Sequence, residues 1–137
     1  MPRVNRSFRL ESATAERLEA RADELGETRT SLAERYIEEG SRMDEHPGIV
    51  FVDGSAGRRP TLAGSGLDVW EVIETLKASN NSVEEAAEYL DVPAARVRIA
   101  VRYYAAFKGE VDEWIERIHE IAAREEEAWR REQAVLA

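Results

Sequence analysis

Three arginines near the start of the sequence form its clearest site for binding an anion. Arg3, Arg6 and Arg9 fall within the first ten residues, which contain no acidic side chain. The 137-residue chain has a formal net charge of −9, so general coating of nucleic acid is excluded. An acidic protein can still bind DNA where its basic groups converge on one surface. The charge distribution therefore permits a DNA contact at this segment.

No other group of residues has the composition of a catalytic or metal site. The chain has no cysteine, which excludes disulfides, zinc–thiolate sites and thiol catalysis. The two histidines, His46 and His119, have no metal-binding partner at helical spacing. Gly64-Ser65-Gly66 is too short for a phosphate loop and lacks the lysine of that motif. The carboxylates of residues 110–127 are spread over a helix surface. We expect no enzyme, no metal and no cofactor.

Length and hydropathy limit the class of protein further. A chain of 137 residues holds one ordinary domain or two very small ones. Very small modules bury little apolar surface, so dimerisation is expected if the chain subdivides. No apolar run approaches the roughly 20 residues needed to cross a bilayer, and the first ten residues lack the apolar core of a signal peptide. We expect a cytoplasmic protein with no membrane partner.

The basic segment must be positioned by the elements around it. Residues 3–10 alternate as a short strand does, with Val4, Phe8 and Leu10 on one side, although Arg6 interrupts that side. A lone strand is not stable in water, and helices rather than a second strand follow. The first helix, capped by Ser12 or Thr14, ends at Gly26, and the second runs from Thr28 or Thr30 to residues 40–43. This order predicts that a partner chain supplies the second strand.

Residues 3–43 resemble the ribbon-helix-helix family of DNA-binding proteins, the MetJ/Arc type of repressor, which includes VapB-type antitoxins. The resemblance rests on the strand Asn5–Leu10, the helix Ala13–Leu25 and the run Gly26-Glu27-Thr28-Arg29-Thr30-Ser31-Leu32. In that family two chains pair their strands into an antiparallel ribbon that lies in the major groove. The resemblance implies a homodimer, or a higher even oligomer, bound to a double-stranded DNA operator.

The same resemblance assigns residue roles. It implies base contacts by Asn5, Ser7 and Arg9, whose side-chain types pair with adenine, several base edges and guanine. It implies phosphate contacts by Thr28, Arg29 and Thr30, with further charge from Arg3 and Arg6. Arg6 departs from the pattern because alternation places it on the buried side, which leaves the strand register open by one residue. The alternative is an unstructured basic terminus followed by a plain helical hairpin.

The middle of the chain begins after residues 44–48, which we interpret as a linker. A hairpin of residues 49–53 and 58–62 is followed by helical patterns at 68–78, 82–90 and 93–108. Residues 47–108 resemble a bacterial domain of uncharacterised function that is often found beside PIN-like ribonucleases. The matching residues are Gly57–Trp70, Ser82–Ala87 and Val97–Tyr104. The match departs from the family's Gly-Arg-Pro stretch, because here two arginines precede Pro60.

Helices 82–90 and 94–108 have the proportions of a helix-turn-helix. Arg98 and Arg102 share one helix face, with Arg96 nearby. This face could contact DNA phosphates, but the surrounding carboxylates favour a solvated or protein-contacting face. Those carboxylates are Glu84, Glu85, Glu88 and Asp91. The aromatic residues Trp70, Tyr103 and Tyr104 are predicted to lie in the core or a dimer interface rather than to form a stacking platform.

The last part of the chain, residues 110–135, has a long amphipathic helical pattern. Such a helix fits a hydrophobic groove on a partner. Antitoxins of the family carry a toxin-binding segment here, so the resemblance implies contact with a PIN-like ribonuclease, whose acidic Mg²⁺ site an arginine can occupy. The implied contacts are Trp114, Ile115, Ile118, Arg124, Trp129, Arg130 and Arg131. The alternative is that the helix packs on its own dimer. After Glu125 the apolar stripe thins, which favours disorder until a partner binds.

The sequence therefore predicts a mainly α fold with short β elements in three parts. Residues 1–44 form a ribbon-helix-helix dimer, residues 45–108 a helix-turn-helix-like domain with a β-hairpin, and residues 109–137 a C-terminal helix. The expected function is a sequence-specific antitoxin that represses its own operon and neutralises a PIN-like ribonuclease. The alternatives are a transcriptional regulator without a toxin and a protein-interaction adaptor that does not bind DNA.

Overall fold

The computed structural model describes residues 2–137 and is mainly helical, with 67% of the chain in helices and one small two-stranded antiparallel sheet. Six helices and two strands lie in this part of the chain. They form two compact units, the first ending at Arg42 and the second spanning Met43–Ala137. No helix within residues 2–137 combines the length and the apolar character that crossing a membrane requires.

The first unit contains helix α1 (Ser12–Leu25) and most of helix α2 (Arg29–Glu45). Gly26 ends α1, as predicted, because its φ of 66° is a left-handed conformation that a residue with a Cβ adopts only with strain. The predicted N-caps of α1, Ser12 and Thr14, are wrong, since Glu11 precedes the helix and makes no side-chain cap bond. Both residues lie inside the first turn of the helix, and the first intrahelical hydrogen bond runs from the Ala15 amide to the carbonyl oxygen of Glu11.

Helix α2 begins where the sequence predicts and ends later than predicted. The hydroxyl of Thr28 accepts a hydrogen bond from the Ser31 amide at 3.1 Å, which caps the helix. The helix runs to Glu45 rather than ending at residues 40–43. The linker interpretation of residues 44–48 is also wrong, because His46 is buried and its ring packs edge-on against Tyr103. This burial comes from a contact that is distant in sequence, so the polar composition of the segment does not reveal it.

The second unit opens with the predicted hairpin. Strands β1 (Ile49–Val52) and β2 (Arg59–Leu62) pair antiparallel, with Ile49 opposite Leu62 and Val52 opposite Arg59. Four helices follow: α3 (Val69–Ala78), α4 (Val83–Leu90), α5 (Ala94–Ala106) and α6 (Lys108–Leu136). The predicted patterns at 68–78, 82–90, 93–108 and 110–135 therefore correspond to helices, with ends that differ by one or two residues.

The core of the second unit is built from one face of each of its elements. Helix α3 contributes Val69, Val72, Ile73 and Leu76, which follow the i, i+3, i+4, i+7 spacing of a buried helix face. The remaining buried apolar side chains of this core are Ile49, Leu62, Ala86, Ala87, Val97, Ala100, Tyr103 and Val111. Through Val111 the start of α6 is anchored to the same core that the hairpin and the other helices share.

Helix α6 is 29 residues long, which corresponds to about 43 Å at the rise of an α-helix. Its first half contacts α3 and α5, whereas every residue from Ala122 to Ala137 is exposed. The helix continues to Leu136. The disorder expected after Glu125 is therefore not seen, because the glutamates and arginines of this stretch form i, i+4 pairs that support a solvated helix.

Candidate functional site

The N-terminal segment, residues 2–11, precedes α1 and has no regular secondary structure in the single chain. All ten of these residues are exposed. A strand needs a neighbour to complete its backbone hydrogen bonds. The predicted ribbon obtains that neighbour from a second chain, so the strand assignment of residues 3–10 stays a prediction.

The apolar side chains of this segment face solvent in the single chain. Val4 is 68% exposed, Phe8 70% and Leu10 54%. Phe8 and Leu10 line a groove of about 730 Å³. The rest of its apolar lining comes from α1 and α2 and includes Leu18, Ala20, Ala33, Tyr36 and Ile37. We call this surface the apolar groove of the first unit. Contiguous apolar surface of this kind is uncommon on monomeric proteins unless it binds a partner.

The polar side chains predicted to contact bases are accessible. Asn5, Ser7 and Arg9 are all exposed on residues that alternate with the apolar ones. Arg6, the departure from the alternating pattern, is also exposed, and its guanidinium donates to the carbonyl oxygen of Asn5 at 3.0 Å. Its charge therefore remains in solvent instead of entering the apolar groove.

The residues predicted to contact phosphate lie at the start of α2 and beside it. Thr28, Arg29 and Thr30 are exposed, and the first turn of α2 contains no acidic residue. The free amides and the dipole of a helix N-terminus favour an anion. Arg3 reaches α2 through an ion pair with Glu34 at 2.9 Å. Since Glu34 is five residues after Arg29, this pair lies about 7.5 Å along the helix axis from the start of α2.

Two carboxylates hold predicted phosphate-binding arginines in the free chain. The Arg29 Nη1 atom lies 3.1 Å from Oε1 of Glu19 on α1. The Arg3 Nη1 atom lies 2.9 Å from Oε2 of Glu34 on α2. The side chains of both pairs are substantially exposed, between 43% and 86%. Sequence reasoning missed both pairs because their partners are not at helical spacing.

A third arginine of the first unit borders the apolar groove. Arg21 donates to Glu24 at 2.9 Å. This hydrogen bond, with a further one to Tyr36, raises the pKa of Arg21 above its ordinary value. The guanidinium therefore keeps its positive charge at the edge of the groove at any accessible pH.

In the second unit, the arginine face of α5 is partly engaged in structural contacts. Arg96 donates to the carbonyl oxygen of Ala63, and Arg98 pairs with Glu84 at 3.3 Å. Arg102 is exposed. One of the three arginines thus ties α5 to the loop after the hairpin, and a second is neutralised by α4. These contacts agree with the solvated or protein-contacting interpretation of this face.

A partly buried polar network connects the hairpin to α3, and the sequence did not reveal it. Arg59 Nε donates to Oδ2 of Asp68 at 2.6 Å, and the indole of Trp70 donates to the same oxygen at 3.0 Å. The Asp68 amide donates to Glu71 at 3.1 Å. The three-residue spacing of Asp68 and Glu71 at a helix start was the available signal. The network ties β2 to the start of α3 and leaves Arg59 unavailable for a ligand.

The aromatic residues of the second unit are used within its own fold. Tyr103 is buried, and the phenol of Tyr104 donates to Asp112 at 2.7 Å. This hydrogen bond to a carboxylate raises the pKa of Tyr104 above its ordinary value. Trp70 is half-buried and donates to Asp68. The expectation that these residues pack rather than form a stacking platform agrees with these positions.

The predicted toxin-contacting residues of α6 fall into two groups. Trp114, Ile115 and Ile118 are partly buried in their own unit, and Ile115 packs against the core. Trp129 is 59% exposed. The arginines of this set are also exposed and pair with glutamates one helical turn earlier: Arg124 with Glu120 at 3.8 Å, Arg130 with Glu126 at 2.7 Å and Arg131 with Glu127 at 3.7 Å. Only the second group lies on a part of α6 that is exposed throughout.

The remaining titratable groups do not form a metal site within the described chain. Among residues 2–137, no three His, Asp or Glu side chains are arranged to hold a metal ion. His119 Nε2 lies 2.5 Å from Oε1 of Glu74, which joins α6 to α3. This contact is on the surface and has a structural role in linking the two helices.

Comparison with known proteins adds no relative: no protein-family model, no curated protein and no solved structure matches this chain.

Proposed function

We propose that the chain is a dimeric, sequence-specific DNA-binding antitoxin of the ribbon-helix-helix type, which represses its own operon and neutralises a PIN-like ribonuclease. The observation that carries this proposal is the unfilled apolar groove of the first unit. Phe8 and Leu10 line the groove, and with Val4 they are apolar side chains that a single chain leaves in water. Such a surface needs a partner, and an N-terminal segment without a paired strand needs one too.

A second copy of the chain satisfies both needs at once. Antiparallel pairing of two N-terminal segments completes their backbone hydrogen bonds, and it covers the apolar side chains against α1 and α2. Side chains on a strand alternate between its two faces. The same pairing therefore turns Asn5, Ser7 and Arg9 outward in both chains, where they can enter a major groove. The N-termini of the two α2 helices, with Thr28 and Arg29, then bind the flanking phosphates.

Titration of DNA by the full chain tests the DNA-binding part of the proposal. The duplex is the region upstream of the chain's own coding sequence, and the measurement is fluorescence anisotropy at several salt concentrations. Changing Arg9→Ala should weaken binding by about 1–3 kcal/mol for each base that the shortened side chain can no longer reach. The control is Arg102→Ala, which removes the same charge from an exposed position on α5.

The outcomes separate the possible functions. Equal losses from Arg9→Ala and Arg102→Ala would indicate a regulator in which the second unit also binds DNA. Binding that survives removal of residues 1–10 would contradict the ribbon assignment. No salt-dependent binding to any duplex would indicate a protein-interaction adaptor.

The exposed half of α6 is the proposed surface for the ribonuclease. Trp129, Val135 and Leu136 are 59%, 84% and 71% exposed, and no residue after Ile121 is buried in its own unit. Aromatic side chains are the commonest anchors of protein interfaces. Arg130 and Arg131 follow Trp129 directly and can exchange their glutamate partners for the acidic site of a nuclease, since exposed ion pairs are weak.

A truncated chain tests this surface without damaging the fold. Ending the chain at Ala123 keeps Val111 and Ile115 in the core and removes only exposed residues. The truncated chain should still bind DNA but should no longer co-purify with the product of a neighbouring ribonuclease gene. A Trp129→Ala chain should lose most of that affinity, whereas Tyr89→Ala, which shortens an even more exposed aromatic side chain on α4, should lose none. Retention of the ribonuclease by the truncated chain would refute the assignment.

A further inference from the structure

Two arginines of the proposed DNA surface are already neutralised within the free chain. Arg29, the first residue of α2, is paired with Glu19 of α1 at 3.1 Å. Arg3 is paired with Glu34 of α2 at 2.9 Å. Each carboxylate therefore occupies a position on its arginine that a phosphate oxygen would take. Glu19 lies on α1 and Glu34 lies on α2, and the side chains of both pairs remain substantially exposed.

These carboxylates are not needed to hold the arginines in the fold. The side chains of Arg3 and Arg29 are 86% and 63% exposed, and those of Glu34 and Glu19 are 60% and 43% exposed. Ion pairs between exposed side chains contribute little to stability, because water screens them and both side chains lose rotamer freedom. The free-energy cost of replacing the carboxylate by a phosphate is therefore small, but it is not zero.

We propose that Glu19 and Glu34 are intramolecular competitors of DNA phosphate, which limit the sequence-independent affinity of the chain. This inference rests on the proposed DNA-binding function. Sequence-independent binding comes from phosphate neutralisation and counterion release by lysines and arginines. Pairing Arg29 and Arg3 with carboxylates lowers this contribution to the affinity for DNA. The contribution from base contacts by the N-terminal segment is unchanged. The chain then depends more on its base contacts for stable binding.

Charge-neutral substitutions test the competition in the full chain. Glu19→Gln and Glu34→Gln keep the side-chain size and remove the charge. The control is Glu38→Gln, which removes the same charge from an exposed carboxylate outside the proposed DNA contacts; Glu38 is 59% exposed and pairs at 2.7 Å with Arg42, whose side chain is 14% exposed. Binding is measured by fluorescence anisotropy on the operator duplex and on an unrelated duplex of equal length, over a series of salt concentrations. Circular dichroism confirms that each variant keeps its helix content.

The competition predicts a gain in affinity with a distinct salt dependence. Glu19→Gln or Glu34→Gln should raise the affinity for the unrelated duplex by between about twofold and about thirtyfold. This range follows from the energy of an exposed ion pair, which is counted twice because a dimer contains two such pairs. The slope of log affinity against log salt should steepen by up to about 0.9 for each arginine released. Glu38→Gln should show a smaller gain and an unchanged slope.

A double-mutant cycle separates the inference from the proposed function. Arg29→Gln should weaken binding, and in that background Glu19→Gln should gain no more than Glu38→Gln does. If the wild-type chain binds and Arg29→Gln weakens binding, but Glu19→Gln and Glu34→Gln behave like Glu38→Gln, the competition is refuted and the DNA-binding function stands. If the wild-type chain binds neither duplex and the arginine variants change nothing, the function itself falls, and the inference falls with it.

Discussion

Replacement of Phe8 by alanine is the sharpest test of the proposed dimer, on which the proposed DNA binding depends. In the single chain Phe8 is 70% exposed and lines the apolar groove of the first unit. Full burial of a phenylalanine side chain is worth about 1.5–3 kcal/mol. If dimerisation buries the exposed 70%, each Phe8 contributes about 1–2 kcal/mol. Two chains lose that contribution together, so Phe8→Ala should weaken the dimer by about 2–4 kcal/mol.

This energy corresponds to a dissociation constant about 30- to 1,000-fold higher than that of the wild-type chain. Sedimentation equilibrium over a range of protein concentrations measures the constant directly. The control is Tyr89→Ala, because Tyr89 is 80% exposed and lies on α4 of the second unit. An unchanged constant for Phe8→Ala, or a wild-type chain that is monomeric at every concentration, would refute the reasoning that the groove binds a second copy.

Three further predictions concern the supporting fold, and the first two are measured by urea or thermal unfolding at fixed protein concentration. Gly26→Ala should destabilise the folded chain by about 1 kcal/mol because the φ of Gly26 is positive. Gly40 lies in the interior of α2 with open space around it, so Gly40→Ala should stabilise the folded chain by about 0.5–1 kcal/mol. A change of the same sign for both variants would contradict the conformational argument. Leu62→Ala should destabilise the second unit by about 2–5 kcal/mol, since this side chain is 1% exposed. The hydrogen bond to Asp112 raises the pKa of Tyr104. The stabilisation that this hydrogen bond gives the folded chain is therefore complete below the ordinary tyrosine pKa and is lost as the pH rises through the higher pKa of the folded state. Ultraviolet titration should show a lower pKa for Tyr104 in the Asp112→Asn chain.

Local patterns in the sequence were enough to predict the elements. The spacing of apolar residues in α3 and the glycine after α1 each act within a few residues, and the structure follows both. The β-branched run of β1 and the glycines after it predicted the hairpin for the same reason. These signals are local, so a single sequence contains them completely.

Contacts between distant parts of the chain were not predictable in the same way. Residues 44–48 are polar and contain a proline and a glycine, yet His46 is buried against Tyr103 and Phe107 of α5 and the turn after it. The pairing of Arg29 with Glu19 likewise depends on how α1 and α2 are arranged. For the candidate site, residue types and alternation identified which side chains are accessible, but not which carboxylates compete for them.

The charge distribution of a chain with a net charge of −9 is compatible with the proposed contacts to DNA and to a protein partner. The first ten residues contain three arginines and no acidic residue, whereas residues 110–137 contain nine acidic residues and four arginines. At physiological ionic strength exposed charges are screened beyond about 8 Å. The affinity of Arg3 and Arg29 for phosphate is therefore set by their immediate partners rather than by the net charge. The three arginines of residues 122–137 are outnumbered by four glutamates, so this segment has no net positive charge that would attract it to DNA. Ending the chain at Ala123 should consequently leave the salt dependence of DNA binding unchanged while it removes the surface proposed for the ribonuclease.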